Sequence, residues 1–143
     1  LIERLRLAPI GVWWLCIAQV VAWLCLWPVW LFISSFFGED VYGGNPASPI
    51  GSEQRNLFEE GVRRGSLAAG AMAIFAAITS PLLPPIVSRV GPYVVWVCAL
   101  LLACVGLALA GAVKHRIASV LLVGLAGPAW AVLNAVVFAS VRH

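Results

Sequence analysis

Long apolar runs alternate with short polar segments along this chain, and each run is long enough to cross a bilayer. Asp, Glu, Lys and Arg are absent from four of them, Leu7–Gly38, Gly65–Ser88, Val90–Val113 and Ile117–Val141. A spanning helix needs about 20 apolar residues, and in lipid the backbone must satisfy its own hydrogen bonds, which favours helices. The pattern predicts an all-α, polytopic transmembrane helix bundle with four spans over residues 1–143.

The limits of the apolar runs predict where the helices begin and end. We expect helices over residues 8–37, 61–83, 93–113 and 117–141, with a long polar loop over residues 38–60. A loop of this length is uncommon between two helices, so it favours a functional or partly ordered segment over a bare linker.

Prolines and small residues refine these four helices. Pro28 predicts a kink in the first helix, Pro84 and Pro85 predict the end of the second, and Gly127 with Pro128 predicts a bend in the fourth. Small residues recur every four positions on the second and fourth helices, which predicts close packing of helix backbones. These residues are Gly65, Ala69, Ala73 and Ala77, and Gly127, Ala131, Ala135 and Ala139.

Composition excludes several classes of function. The chain is 62% hydrophobic and 10% charged, with a formal charge of +3 and no basic run, so nucleic-acid binding has no support. It holds no nucleophile–base pair, phosphate-binding loop or metal-ligand spacing, so we expect no enzyme activity, no cofactor and no metal. Because the chain begins at Leu1 and its last apolar run stops at Val141, we expect a fragment of a longer protein.

One face of the first helix collects polar and aromatic side chains. Spacings of three or four residues place them on a single stripe: Gln19, Trp23, Trp27, Trp30 and Ser34. Tryptophan in membrane proteins usually lies at the interface, but Trp23 falls near the middle of its span. The stripe either fills gaps between helices or lines a cavity for a ligand with polar edges and apolar faces, such as a sugar.

Three further side chains are candidates for contact with a ligand. Arg63 and Arg64 stand at the mouth of the second helix, where they either extend to the membrane surface or bind a hydroxyl-rich or acidic partner. Asn134 is one of few strongly polar residues deep in a span. It either lines a pathway or hydrogen-bonds a neighbouring helix.

Two motifs at the ends of the polar loop resemble a known family. Residues 38–46 read GEDVYGGNP and residues 60–67 read EGVRRGSL. They are similar to G-R-E-V-Y-G-G-D-P and E-G-V-R-M-G in the plant sucrose–proton symporters of the glycoside–pentoside–hexuronide branch of the major facilitator superfamily. The matching positions include Gly38, Tyr42, Gly43, Gly44, Pro46, Glu60, Gly61, Arg63 and Gly65.

The resemblance implies a partial major facilitator fold and a transport function. It aligns the chain with the seventh to tenth helices of a twelve-helix carrier that moves a sucrose-type sugar with protons by alternating access. The implied partners are the sugar, protons, the lipid bilayer and the remaining transporter helices. Both chain ends would lie in the cytoplasm, the polar loop would lie outside or in a lumen, and the membrane would be the plasma or vacuolar membrane.

Two departures from the family pattern leave alternatives open. The family's seventh helix usually ends in an Asp-containing turn, but Ile33 and Ser35 stand there in this chain, so proton coupling rests on the absent half or is lost. Arg64 replaces the usual Met, so the role of the family arginine is carried over to Arg63 alone. With Arg63 we take Trp23, Gln19 and Asn134 as candidates for substrate or coupling contacts. The alternatives are an uncoupled sugar carrier, a four-helix membrane protein without transport, and a truncated remnant.

Overall fold

The computed structural model describes residues 10–140 and folds them into helices joined by short connections. Its elements are α1 (Ile10–Ser35), a π-helix (Phe36–Val41), α2 (Glu53–Thr79), a 3-10 turn (Ser80–Leu82), α3 (Leu83–Val90), α4 (Pro92–Val113), α5 (Ala118–Gly124) and α6 (Gly127–Ser140). Four helical stretches are long and apolar enough to cross a membrane, Cys16–Val41, Glu53–Val90, Pro92–Val113 and Ala118–Ala135. The prediction of an all-α bundle with four spans is confirmed. The expected start at Ala8 and end at Val141 lie outside the described residues.

The polar connection after the first span is much shorter than residues 38–60. The π-helix carries the first span to Val41, and α2 begins at Glu53. Ser52 caps α2 because its hydroxyl accepts a hydrogen bond from the Arg55 amide at 3.3 Å. Residues 53–60 are mostly polar but have good helix propensity, so α2 begins before the apolar run. The limits of the apolar run alone do not indicate this earlier start.

The second span continues past the prolines at which its end was expected. A 3-10 turn at Ser80–Leu82 leads directly into α3, and Pro84 lies in the first turn of α3. The first turn tolerates proline because its backbone N–H groups have no partner within the helix. The expected end of the helix at Leu83 is therefore wrong, and the span runs to Val90.

The fourth span is interrupted at the position that the sequence indicated. α5 ends at Gly124 and α6 begins at Gly127, with Pro128 in its first turn. The Ala126 amide donates to the Val123 carbonyl at 3.0 Å, which closes a tighter turn at the break. α1, in contrast, remains helical through Pro28.

The helices pack through small residues, although the predicted stripe on α2 is only partly correct. α2 contacts α1, α5 and α6, and α4 packs against α5 and α6. The buried positions of α2 are Gly61, Gly65, Ala68, Met72 and Ala76. Ala73 and Ala77 are exposed. A strict four-residue repeat drifts by about 40° at each step around a helix of 3.6 residues per turn, so the buried face needs an occasional spacing of three.

Candidate functional site

The two motifs pack against each other where the π-helix crosses α2. A Cβ atom added at Gly61 would lie 2.6 Å from the Gly38 Cα and 2.6 Å from the Phe37 carbonyl oxygen. Phe37 is completely buried at this crossing. Only glycine at position 61 allows the two backbones to approach this closely.

The connection after the π-helix is held down on the first turns of α2. Gly43 adopts a φ of +68°, which favours glycine, and the Gly44 amide donates to the Gly38 carbonyl at 2.9 Å. The Arg55 guanidinium donates to the Pro46 carbonyl at 2.6 Å and pairs with Glu59 at 2.9 Å. These contacts give the motif residues Gly43, Gly44 and Pro46 a structural role in shaping the connection.

Gln19, Trp23 and Trp27 line an open groove on α1. The groove has a volume of about 400 Å³ and is otherwise apolar. The Gln19 amide nitrogen donates to the Leu133 carbonyl of α6 at 2.8 Å, whereas its buried amide oxygen has no hydrogen-bond partner among residues 10–140. Two indole side chains and one amide side chain at an open groove are suited to a ligand that stacks and forms hydrogen bonds.

Trp30 of α1 contacts α6 at Trp130, and Asn134 lies one turn further along α6. The Trp30 ring meets the Trp130 ring edge to face, with a centroid distance of 5.4 Å. Asn134 donates its side-chain N–H to the Trp130 carbonyl one turn earlier, at 2.8 Å, and the residue is exposed. Trp130 and the Leu133 carbonyl were not singled out from the sequence, since nothing in the pattern distinguishes them from packing residues.

Arg63 lies far from this groove, near the level of the motif crossing. It is exposed, and it lies two residues before Gly65, which packs against the Ile33 backbone of α1. Gln19 lies about 21 Å further along the α1 axis from Ile33. The four candidate residues therefore do not form one site: Gln19, Trp23 and Asn134 lie along α1 and α6, and Arg63 stands apart.

A second, polar pocket opens at the end of the bundle that holds the motifs. Its volume is about 520 Å³, and its charged or aromatic lining residues are Tyr42, Glu60, Arg64, Lys114, His115 and Arg116. Lys114 pairs with Asp40 at 2.9 Å, and the Arg116 guanidinium lies 4.6 Å from the centroid of the Tyr42 ring. Lys114, His115 and Arg116 are adjacent in the sequence, but their partners are distant in the chain and are found only in the folded structure.

Comparison with known proteins relates this chain to sugar transporters. It is 32% identical over 96 residues to Sucrose transport protein SUC3 of Arabidopsis thaliana, an alignment that covers 67% of the chain and 16% of that protein. It is 30% identical over 107 residues to Sucrose transport protein SUT1 of Oryza sativa subsp. japonica, covering 75% and 20%. Solute carrier family 45 member 3 of Homo sapiens is 33% identical over 82 residues, covering 57% and 15%.

These similarities reach only a part of each relative. The chain spans between 15% and 20% of the length of these three proteins. No family model matches the chain. No solved structure matches it either. The chain is homologous to a part of the sucrose transport proteins and of solute carrier family 45 member 3, and its four spans make it a multi-pass membrane protein.

Proposed function

We propose that this chain is part of a major facilitator of the glycoside–pentoside–hexuronide branch that carries a sucrose-type sugar together with protons. The similarity to proteins named as sucrose transporters supports the substrate class. The observation that carries the proposal is the packing of the two family-like motifs as one unit, with Gly38 against Gly61. Two motifs that are separate in the sequence and resemble the same family also pack against each other in this structure. This favours an architecture shared with that family.

The groove on α1 is the proposed contribution of this chain to the sugar path. The indole rings of Trp23 and Trp27 suit the apolar faces of a sugar ring, and Gln19 contributes an amide side chain to the lining of the groove. Asn134, on the neighbouring α6, adds a second amide on the same path. The remaining helices of the carrier close the cavity, because alternating access requires two halves that move around a central site.

Arg63 is the proposed contact for substrate or coupling at the membrane boundary. Its guanidinium presents a fork of N–H donors that suits hydroxyl pairs or a carboxylate. We expect Arg63→Ala in the full-length protein to lower sugar uptake by at least about tenfold, which corresponds to about 1.4 kcal/mol of lost interaction. The measurement is uptake of radiolabelled sucrose by cells or vesicles, normalised to the amount of protein at the surface.

The neighbouring arginine provides a matched control. Arg64→Met removes the same charge one residue later and installs the residue that the plant symporters carry, so uptake should be retained. Normal uptake by Arg63→Ala would refute the role of Arg63. Equal losses of uptake in both variants would mean that positive charge at this end of α2 matters, and not a specific contact of Arg63.

The runner-up is a sugar carrier that does not couple to protons. It is favoured by the absence of Asp and Glu from residues 7–38 and 65–141, which leaves no carboxylate at mid-membrane in this chain. A coupled carrier should lose uptake when the external pH rises and when an uncoupler is added. Uptake that is insensitive to both treatments would select the uncoupled carrier.

A further inference from the structure

A second groove, distinct from the proposed sugar path, lies between α1 and α4. It has a volume of about 260 Å³ and is almost entirely apolar, with Phe32 and Phe36 on one wall and Leu107 and Gly111 on the other. The glycine leaves the groove open, since a Cβ atom added at Gly111 would find no atom within 4 Å. The groove runs along about two turns of α1, or roughly 10 Å.

Both walls of this groove lead into the polar pocket at the end of the bundle. Asp40 follows Phe36 by one helical turn, and Lys114 follows Gly111 by one turn. An apolar channel therefore ends about 5 Å from a cluster of charged side chains. An apolar groove that leads into a charged pocket matches an amphiphile whose acyl chain lies in the membrane and whose headgroup lies at the membrane surface.

The charges of the pocket have a positive excess. Three cations, Arg64, Lys114 and Arg116, face two carboxylates, Asp40 and Glu60. The Lys114 ammonium has three N–H donors, of which the contact with Asp40 uses one. The Arg116 guanidinium lies over the Tyr42 ring, 4.6 Å from its centroid, and its fork of N–H donors suits an oxyanion.

We propose that the groove and the pocket together form a binding site for one anionic phospholipid. One acyl chain occupies the groove between α1 and α4, and the phosphate accepts hydrogen bonds from Lys114 and Arg116. Basic pockets between transmembrane helices on the cytoplasmic or matrix side bind anionic headgroups, and this pocket offers the same kinds of donor at the motif end of the bundle. A soluble anion would use only the charged end of the site, whereas a lipid uses both parts.

The test is native mass spectrometry of the full-length protein released from micelles that contain phosphatidylglycerol. The wild type should retain one phosphatidylglycerol per chain, in preference to phosphatidylcholine. Gly111→Trp fills the groove, and its control is Gly70→Trp, because Gly70 on α2 is also exposed with no atom within 4 Å of an added Cβ. Lys114→Gln with Arg116→Gln removes the headgroup contacts, and its control is Arg89→Gln at the other membrane face.

The expected losses follow from the two parts of the site. Gly111→Trp should abolish retention, and each lost cation should weaken it by about fivefold, while both controls retain the lipid. Equal retention in all variants would mean non-specific lipid and would overturn the proposal. Loss of the lipid in Gly111→Trp alone would also overturn it, and so would displacement of the lipid by excess inorganic phosphate. A wild type that retains no lipid, because another segment covers the groove, would overturn it as well. The variant with both Lys114→Gln and Arg116→Gln changes only exposed residues, so it still tests the proposal if Gly111→Trp fails to fold.

Discussion

The close crossing of the π-helix and α2 can be tested by adding one methyl group. In Gly61→Ala the new Cβ would lie 2.6 Å from the Gly38 Cα. That is about 0.8 Å short of the 3.4 Å at which ordinary van der Waals contact begins. The obstructing atoms are backbone atoms and cannot rotate away, so the two helices must separate.

The cost of this separation can be isolated by comparison with other glycines of α2. Overpacking of this kind costs about 1–3 kcal/mol, while alanine gains up to about 1 kcal/mol in helix propensity over glycine. Gly70→Ala shares only the gain, because a Cβ at Gly70 meets nothing within 4 Å. Gly65→Ala should fall between the two, since its Cβ would lie 3.2 Å from the Ile33 carbonyl oxygen.

The assay is unfolding of the full-length protein in mixed micelles by sodium dodecyl sulfate, followed by tryptophan fluorescence. We expect Gly61→Ala to be less stable than Gly70→Ala by about 1–3 kcal/mol, with Gly65→Ala in between. If Gly61→Ala and Gly70→Ala unfold at the same detergent fraction, the backbones do not approach as described, and the structural reason for glycine in the second motif is lost.

Two further perturbations separate structural from functional roles. Gln19→Leu removes the bond to Leu133 and the unsatisfied amide oxygen together, so the free energy of unfolding should fall by less than about 1 kcal/mol. If Gln19 contacts the sugar, uptake by Gln19→Leu should fall far more than the small loss of stability explains. If uptake falls only in proportion to the amount of folded protein, Gln19 has a packing role alone. Arg55→Ala removes the contacts with Pro46 and Glu59, so limited proteolysis should cleave residues 43–51 several-fold faster than in Arg63→Ala, which leaves the connection untouched. Equal cleavage rates would contradict the role of Arg55 in holding the connection.

The sequence by itself determined the class of fold and the break in the fourth span. Runs without charged residues impose helices because lipid offers the backbone no other hydrogen-bond partner, and Gly127 with Pro128 acts locally in the chain. It also identified both motifs, since these are contiguous segments. It misplaced the start of α2 and the end of the second span, because capping at Ser52 and the position of Pro84 within a first turn depend on where the helix begins.

Only the tertiary structure decided which of these residues meet. The contacts of Gly38 with Gly61, Gln19 with Leu133, and Lys114 with Asp40 join residues distant in the chain, and no periodicity within one helix specifies them. The same holds for the separation of Arg63 from the groove at Gln19, which depends on the level at which α2 crosses α1. Helical periodicity fixes the face on which a side chain lies, whereas the packing of one helix against another fixes its neighbours.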